Sequence, residues 1–189
     1  AKAMGYIDAD ELGQDLREGA VSMDEFMDAI MRLNEEGLKD KALWETKGYK
    51  LPSYDRAKVT EATKENPFWI HFGAGNIFRA FQANVMQNLL NDGSFDRGLI
   101  VAEGFDYEIV EKMNHPHDDY HILVTLKANG TVEKTVVGSV VESLALDSKN
   151  DADYSRLKEI FTNSSPFCIF PFTVASSNFD ETSGSSFIR

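Results

Sequence analysis

Gly73-Ala74-Gly75, set between a short apolar run and an amphipathic stretch, most narrows what this chain can fold into. The run Phe68-Trp69-Ile70-His71-Phe72 follows Asn66-Pro67 and stops at Gly73, as a buried strand does. Beyond it, Ile77, Phe78, Phe81, Val85 and Leu89 fall on one helical stripe, with Gly93 placed as the C-terminal stop. Leu99-Ile100-Val101-Ala102 then reads as a second buried strand, and strand, helix, strand in this compass is a βαβ unit with parallel strands. In a dinucleotide-binding turn the first glycine permits the tight bend, and the second, lacking Cβ, lets the backbone approach a pyrophosphate. The helix that follows aims its free N–H groups at the phosphates. Gly73, Ala74, Gly75, Asn76, Ile77, Phe78 and Arg79 are therefore the candidate cofactor contacts. Phe78 occupies the third glycine position of G-x-G-x-x-G, so close helix–strand packing there needs another solution. Arg79 opposes the helix dipole but is placed to pair with a phosphate.

The second strand ends in Glu103, a candidate for the ribose-binding acid that typically lies about 20 residues past the motif. A turn over residues 91–97 accounts for its greater separation. Asp106 is its rival, and either also reads as a solvated acid of a βα loop. Tyr107 to Met113 reads as a short helix with Ile109, Val110 and Met113 inward. Tyr120–Lys127 and Thr131–Val137, joined through Ala128-Asn129-Gly130, form a hairpin pattern, and 138–144 continues as strand. Asp153 to Phe161 is helical, with Tyr154, Leu157 and Ile160 apolar.

The ends differ from this middle. Residues 1–43 carry eleven acids against five bases and lack β-branched runs, the pattern of a solvated acidic helical segment; Ser22 with Glu25 forms a capping-box pattern and Phe26, Ile30 and Leu33 a stripe. Asp8 and Asp10 begin like a calcium loop, but Leu12 and Gly19 stand where oxygen ligands belong. Residues 163–189 are rich in Ser and Phe and nearly uncharged. There Phe167-Cys168-Ile169-Phe170, bracketed by prolines, reads as a short or edge strand and the remainder as a tail.

A net charge of −12 argues against a nucleic-acid partner, since counterion release needs a basic face. No apolar run approaches the ~18 residues of a membrane span, and the acidic start is unlike a signal or transit peptide. One cysteine, Cys168, excludes an internal disulfide and fits a reducing compartment, so the expected location is cytoplasmic. His115, His117 and His121 with Asp118 and Asp119 read as a solvated loop rather than a metal site, and His71 as a hydrogen-bonded core histidine. The residues assign no oligomeric state.

Trp69 to Phe81, with the Gly-Ala-Gly-Asn-Ile-Phe-Arg sequence at its centre, resembles the amino-terminal fingerprint of the polyol-specific long-chain dehydrogenases, the mannitol dehydrogenase family. That family includes fructuronate (mannonate) and tagaturonate reductases. The similarity extends from Leu33-Asn34-Glu35-Glu36-Gly37-Leu38 through Leu51-Pro52-Ser53-Tyr54-Asp55 and Ile100 to Tyr107, and on through the hairpin to Asn163. It implies an α/β fold: a Rossmann-like dinucleotide-binding domain with a mostly parallel sheet and a β-hairpin insertion, preceded by a short helical N-terminal segment. The expected organisation is 1–43 acidic helical, 44–162 NAD(P)-binding and 163–189 divergent, with a natural start at Met31 and 1–30 an unrelated extension. Implied partners are NAD, with NADP open, and, in the complete enzyme, a sugar-derived polyol or hexuronate. The family's metal-independent Lys-x-x-x-Asn-x-x-His constellation occurs nowhere in this sequence, so the expectation is the cofactor-binding part of an oxidoreductase without its catalytic helical domain. The departure from the family pattern at Asn163 coincides with the compositional break, as truncation, frameshift or fusion would produce. The alternative is a catalytically inactive nucleotide-fold fragment, or an interaction module with an acidic leader.

Overall fold

Two apolar runs pair in parallel at the centre of the fold: β2 (Trp69–Phe72) and β3 (Leu99–Glu103), with Trp69 opposite Leu99 and Phe72 opposite Ala102. The computed structural model describes residues 31–163, the backbone of 168–170, and the isolated positions 14, 17–19 and 22. β6 (Val140–Ala145) flanks β3, and β7 (Cys168–Phe170) flanks β2, all parallel, in the order β6-β3-β2-β7. Counted along the chain from β2, this is 3-2-1-4, the strand order of a doubly wound nucleotide-binding sheet. β3 is buried at every position, which is why Leu99 to Ala102 are continuously apolar rather than alternating, with Glu103 the one buried charged residue at its end.

The sheet is covered on both faces. On one, Phe78, Ala83, Met86 and Leu90 pack with Val59, Leu99, Val101 and Val140. On the other, Ile70, Ile100, Ala102 and Leu144 meet Ile160 of α5 (Asp151–Asn163). Asp40 and Asp55 cap α1 (Lys41–Thr46) and α2 (Arg56–Glu65), accepting from the Leu43 and Lys58 amides at 3.2 Å.

The stripe expected downstream of the glycine turn is rotated. Phe81 breaks the segment into α3 (Asn76–Ala80) and α4 (Gln82–Asn91), so Phe78, Ala83, Met86 and Leu90 face the core. Ile77 and Phe81 stand 55% and 66% exposed, and Val85 and Leu89 are also exposed. Gly93, at φ +75°, does end α4.

The hairpin forms as expected from β4 (His121–Leu126) and β5 (Val132–Val137), antiparallel, with β1 (Tyr49–Lys50) parallel on the outer side of β5. Residues 138–144 do not extend β5: the chain turns at Gly138-Ser139, and β6 joins the parallel sheet instead. Tyr107–Met113 is mostly a π-helical turn, Ile109–Asn114, with Val110 buried but Met113 exposed. The histidines after it are not a free loop. His115 Nε2 donates to Ser143 O at 3.2 Å and His117 Nδ1 to Leu33 O at 3.0 Å, while Asp118 and Asp119 take left-handed φ of 49° and 63°.

Residues 31–34 are irregular, 35–36 turn and 37–39 form a 3₁₀ turn, so the expected helical stripe does not reach Leu33. The capping box and the Phe26 and Ile30 positions lie outside the described residues, as does the tail beyond Phe170. The short strand expected at 167–170 is present as β7, at the edge of the sheet. Among the described residues no helix is long and apolar enough to cross a membrane, and no group of three His, Cys, Asp or Glu converges as metal ligands would.

Arg56, its side chain 11% exposed, joins the two sheets. It donates from Nε to Gly138 O (3.0 Å) and from Nη2 to Val140 O (3.0 Å) and Asp118 O (2.6 Å), pairs through Nη1 with Glu35, and lies 4.1 Å over the Tyr120 ring. Removing it leaves three carbonyls without this donor and the Glu35 carboxylate with only the Tyr120 hydroxyl, at 3.2 Å. Arg56→Met is therefore expected to lower unfolding free energy by about 3 kcal/mol. Urea titration of the full chain measures this, and a loss under about 1 kcal/mol would contradict the assignment.

Candidate functional site

Gly73 leaves β2 at φ +105°, a conformation a side chain resists, while its amide still donates to Ala102 O of β3 at 2.8 Å. The chain therefore bends at the strand end without losing its grip on the sheet. Ala74 turns inward and is buried. Gly75 then takes an ordinary extended conformation (φ −69°, ψ 174°) as N-cap of α3, and no side chain caps the helix. A Cβ built on Gly75 meets no atom within 4 Å. The two glycines thus serve different ends: Gly73 is required by the backbone, and Gly75 keeps space free in front of the helix's first amides.

Glu103 closes the site from below. It is 7% exposed, and its carboxylate accepts from the Ala74 amide (2.7 Å, Oε2) and from the Phe105 and Asp106 amides (2.9 and 3.2 Å, Oε1). The reading of Glu103 as a solvated loop acid is thereby overturned: three N–H donors hold the charge, the arrangement that makes a buried carboxylate tolerable. A carboxylate offers about four acceptor positions, so one remains for a ligand hydroxyl. Asp106 is exposed beside it.

Phe78 shows how the missing third glycine is accommodated. Its ring is buried and stacks on His71 of β2, centroids 4.3 Å apart and planes 14° from parallel. His71 is not the satisfied core histidine expected from the sequence: neither ring nitrogen has a hydrogen-bond partner, and burial pushes the imidazole below its usual range. Arg79 donates from Nη2 to Asn76 Oδ1 at 2.7 Å, and its carbonyl accepts from His121 Nε2 at 2.9 Å. Asn76, Arg79, Met113, His117 and His121 help line a cleft of about 440 Å³ between α3 and the hairpin. The structure therefore gathers Gly73, Ala74, Gly75, Asn76, Phe78, Arg79 and Glu103 around one turn. Ile77 faces solvent, and Asp106 lies on the neighbouring loop. Sequence patterning assigns no role to Arg56 or Gln87, whose partners are backbone groups and a tyrosine far along the chain. It assigns none to Phe105, the most exposed large apolar side chain among the described residues.

No protein-family model matches the chain. A D-mannonate oxidoreductase of Thermotoga maritima is 49% identical over 135 residues, 71% of this chain and 25% of that protein. The match supports the resemblance to the mannitol dehydrogenase family over this stretch. It spans about a quarter of the length of that curated relative. A Pseudomonas fluorescens mannitol 2-dehydrogenase, solved as a ternary complex with NAD and D-mannitol, superposes with a TM-score of 0.51 at 24% identity, over 65% of this chain and 23% of that one. The overlap supports the doubly wound α/β fold of the mannitol dehydrogenase family. A substrate-free D-sorbitol dehydrogenase matches at TM-score 0.47 and 22% identity, over 58% of this chain and 22% of that one.

His121 makes the turn's support sensitive to acid. Burial, together with the Arg79 charge and against the bond to Arg79 O, pushes it down to about 4. A histidine depressed in the folded state stabilises fully above its unfolded value near 6.5 and loses that contribution as pH falls toward 4. Between pH 7 and 5 this withdraws roughly 2 kcal/mol. His71 acts in the same direction, and Asp119, raised by burial, acts in the opposite one. Urea unfolding at the two pH values should show that loss for the native chain and a markedly smaller one for His121→Gln; equal losses would exclude His121 as its source.

Proposed function

We propose that this segment binds the nicotinamide dinucleotide NAD and forms the cofactor-holding part of an oxidoreductase acting on a polyol or hexuronate, mannonate being the best-supported substrate. The observation that carries the reading is the open space over Gly75 at the end of the first strand of a 3-2-1-4 parallel sheet. In such sheets ligands lie beyond the strands' carboxyl ends, where the order reverses, here between β2 and β7. The 49% identity to a D-mannonate oxidoreductase supports the substrate class.

The residues present fit the cofactor. The Gly73–Gly75 turn would take the pyrophosphate, with Arg79 as the nearby cation, and Glu103 has an acceptor position left for an adenosine ribose hydroxyl. Acids at Glu103 and Asp106 disfavour a 2′-phosphate there, which favours NAD over NADP. When bound, the cofactor supplies the hydride chemistry, between its nicotinamide and a secondary alcohol carbon of the substrate. This chain's own part is binding and orientation: Glu103 holds turn and loop in register, and Phe78 on His71 seats α3 against β2. No Lys-x-x-x-Asn-x-x-His spacing occurs in the sequence, and none of its residues is assigned the substrate's proton transfer. A single cysteine fits a cytoplasmic, reducing setting.

Gly75 separates binding from folding. Because its φ suits any residue and its Cβ position is open, Gly75→Ala and Gly75→Val should leave the urea midpoint essentially unchanged. The same changes should weaken NADH binding, read by nicotinamide fluorescence, by about tenfold or more for Ala and beyond detection for Val. A folded native chain with no saturable NADH binding would overturn the reading in favour of an interaction module on a nucleotide-type fold.

A further inference from the structure

Phe105 is 93% exposed, an unusual state for a phenylalanine on an otherwise ordered loop. It follows β3 directly, at the carboxyl end of the sheet, between Gly104 and Asp106. Its backbone is fixed rather than free. The Phe105 amide donates to Glu103 Oε1 at 2.9 Å, and the other oxygen of that carboxylate receives the Ala74 amide of the glycine turn at 2.7 Å. One buried side chain thus sets the distance between the ring's backbone and the place proposed for the pyrophosphate. Tyr107 closes the far side of the loop, its hydroxyl donating to Gly104 O at 3.3 Å. A Cβ on Gly104 would meet nothing within 4 Å, so the space beside the ring's attachment is open on the Gly104 side.

We propose that the Phe105 ring is the platform on which the adenine of the dinucleotide stacks, so that Glu103 positions both the pyrophosphate turn and the base-binding ring. The proposal rests on the dinucleotide reading above and adds the residue that holds the base. Its chemistry is general: an adenine needs an apolar face of its own size, and an exposed ring anchored through its backbone offers one at little cost in ordering. The loop carries no cation, so recognition of the base is by stacking, while the ribose hydroxyls fall to Glu103 and Asp106.

The test uses the full chain, titrated with ADP-ribose, NADH and reduced nicotinamide mononucleotide by calorimetry. Phe105→Ala should weaken ADP-ribose and NADH by the same factor, roughly tenfold, and leave the mononucleotide unchanged, whereas Phe105→Trp should bind all three within about threefold of the native chain. Because the ring packs on almost nothing, the urea midpoint should not move in either variant. Native-like ADP-ribose binding by Phe105→Ala would overturn the platform while leaving the dinucleotide reading intact. If the native chain binds neither ADP-ribose nor NADH, the dinucleotide reading falls and the platform with it.

Discussion

The guanidinium of Arg56 is the constraint on which the arrangement of this molecule depends. The chain must leave the small sheet at Val137 and enter the parallel sheet at Val140, and such a change of direction strands carbonyls that no ladder can satisfy. Arg56 takes those of Gly138 and Val140, and that of Asp118 from the left-handed turn opposite. Gln87 supplies the complementary half: its Oε1 accepts from the Gly138 amide and the Tyr54 hydroxyl, and its Nε2 donates to Val136 O. A planar fork suits this task as an ammonium would not, because the carbonyls are spread across its plane rather than gathered at a point.

That junction bears on the proposed cofactor site through β3. β6 enters alongside β3 only because the crossing at Gly138-Ser139 is held, and β3 must end at a fixed height for Glu103 to reach the Ala74 amide. Glu103 is thus both the last residue of the sheet and the first of the site. Its buried charge is held entirely by backbone amides, so the geometry of the turn does not depend on any mobile side chain.

Much of this was legible in the residues alone because it is local. The two apolar strands, the bend at Gly73, the Asn-Gly hairpin and the short strand before Pro171 each carry their signal within a few positions. The phase of the helix after the turn was not legible. Periodicity weighs hydrophobicity, so it groups Phe78 with Ile77, Phe81, Val85 and Leu89, whereas the buried face runs from Phe78 through small Ala83 and polar Gln87, and it cannot register the break at Phe81. Arg56 escaped for a related reason: its partners are mostly backbone oxygens 62 to 84 residues away, and backbone atoms leave no trace in composition. The histidines after the π-helical turn read as a polar loop, yet all three bond to distant carbonyls. Of the site, the turn and Glu103 were legible, but that Glu103 braces the turn rather than waiting free at a loop follows only from the burial around it.

The three-residue strand β7 gives the Ser- and Phe-rich region a role that its composition conceals. Without it, β2 would be the outermost strand of the sheet, offering the unpaired backbone of Trp69-Ile70-His71 to any passing chain. Apolar and free of charge, that run is the kind of edge along which proteins associate into ordered aggregates. By pairing with it, residues 168–170 move the edge of the sheet from β2 to a strand of three residues, which offers less backbone to a passing chain beside the strand from which the glycine turn departs.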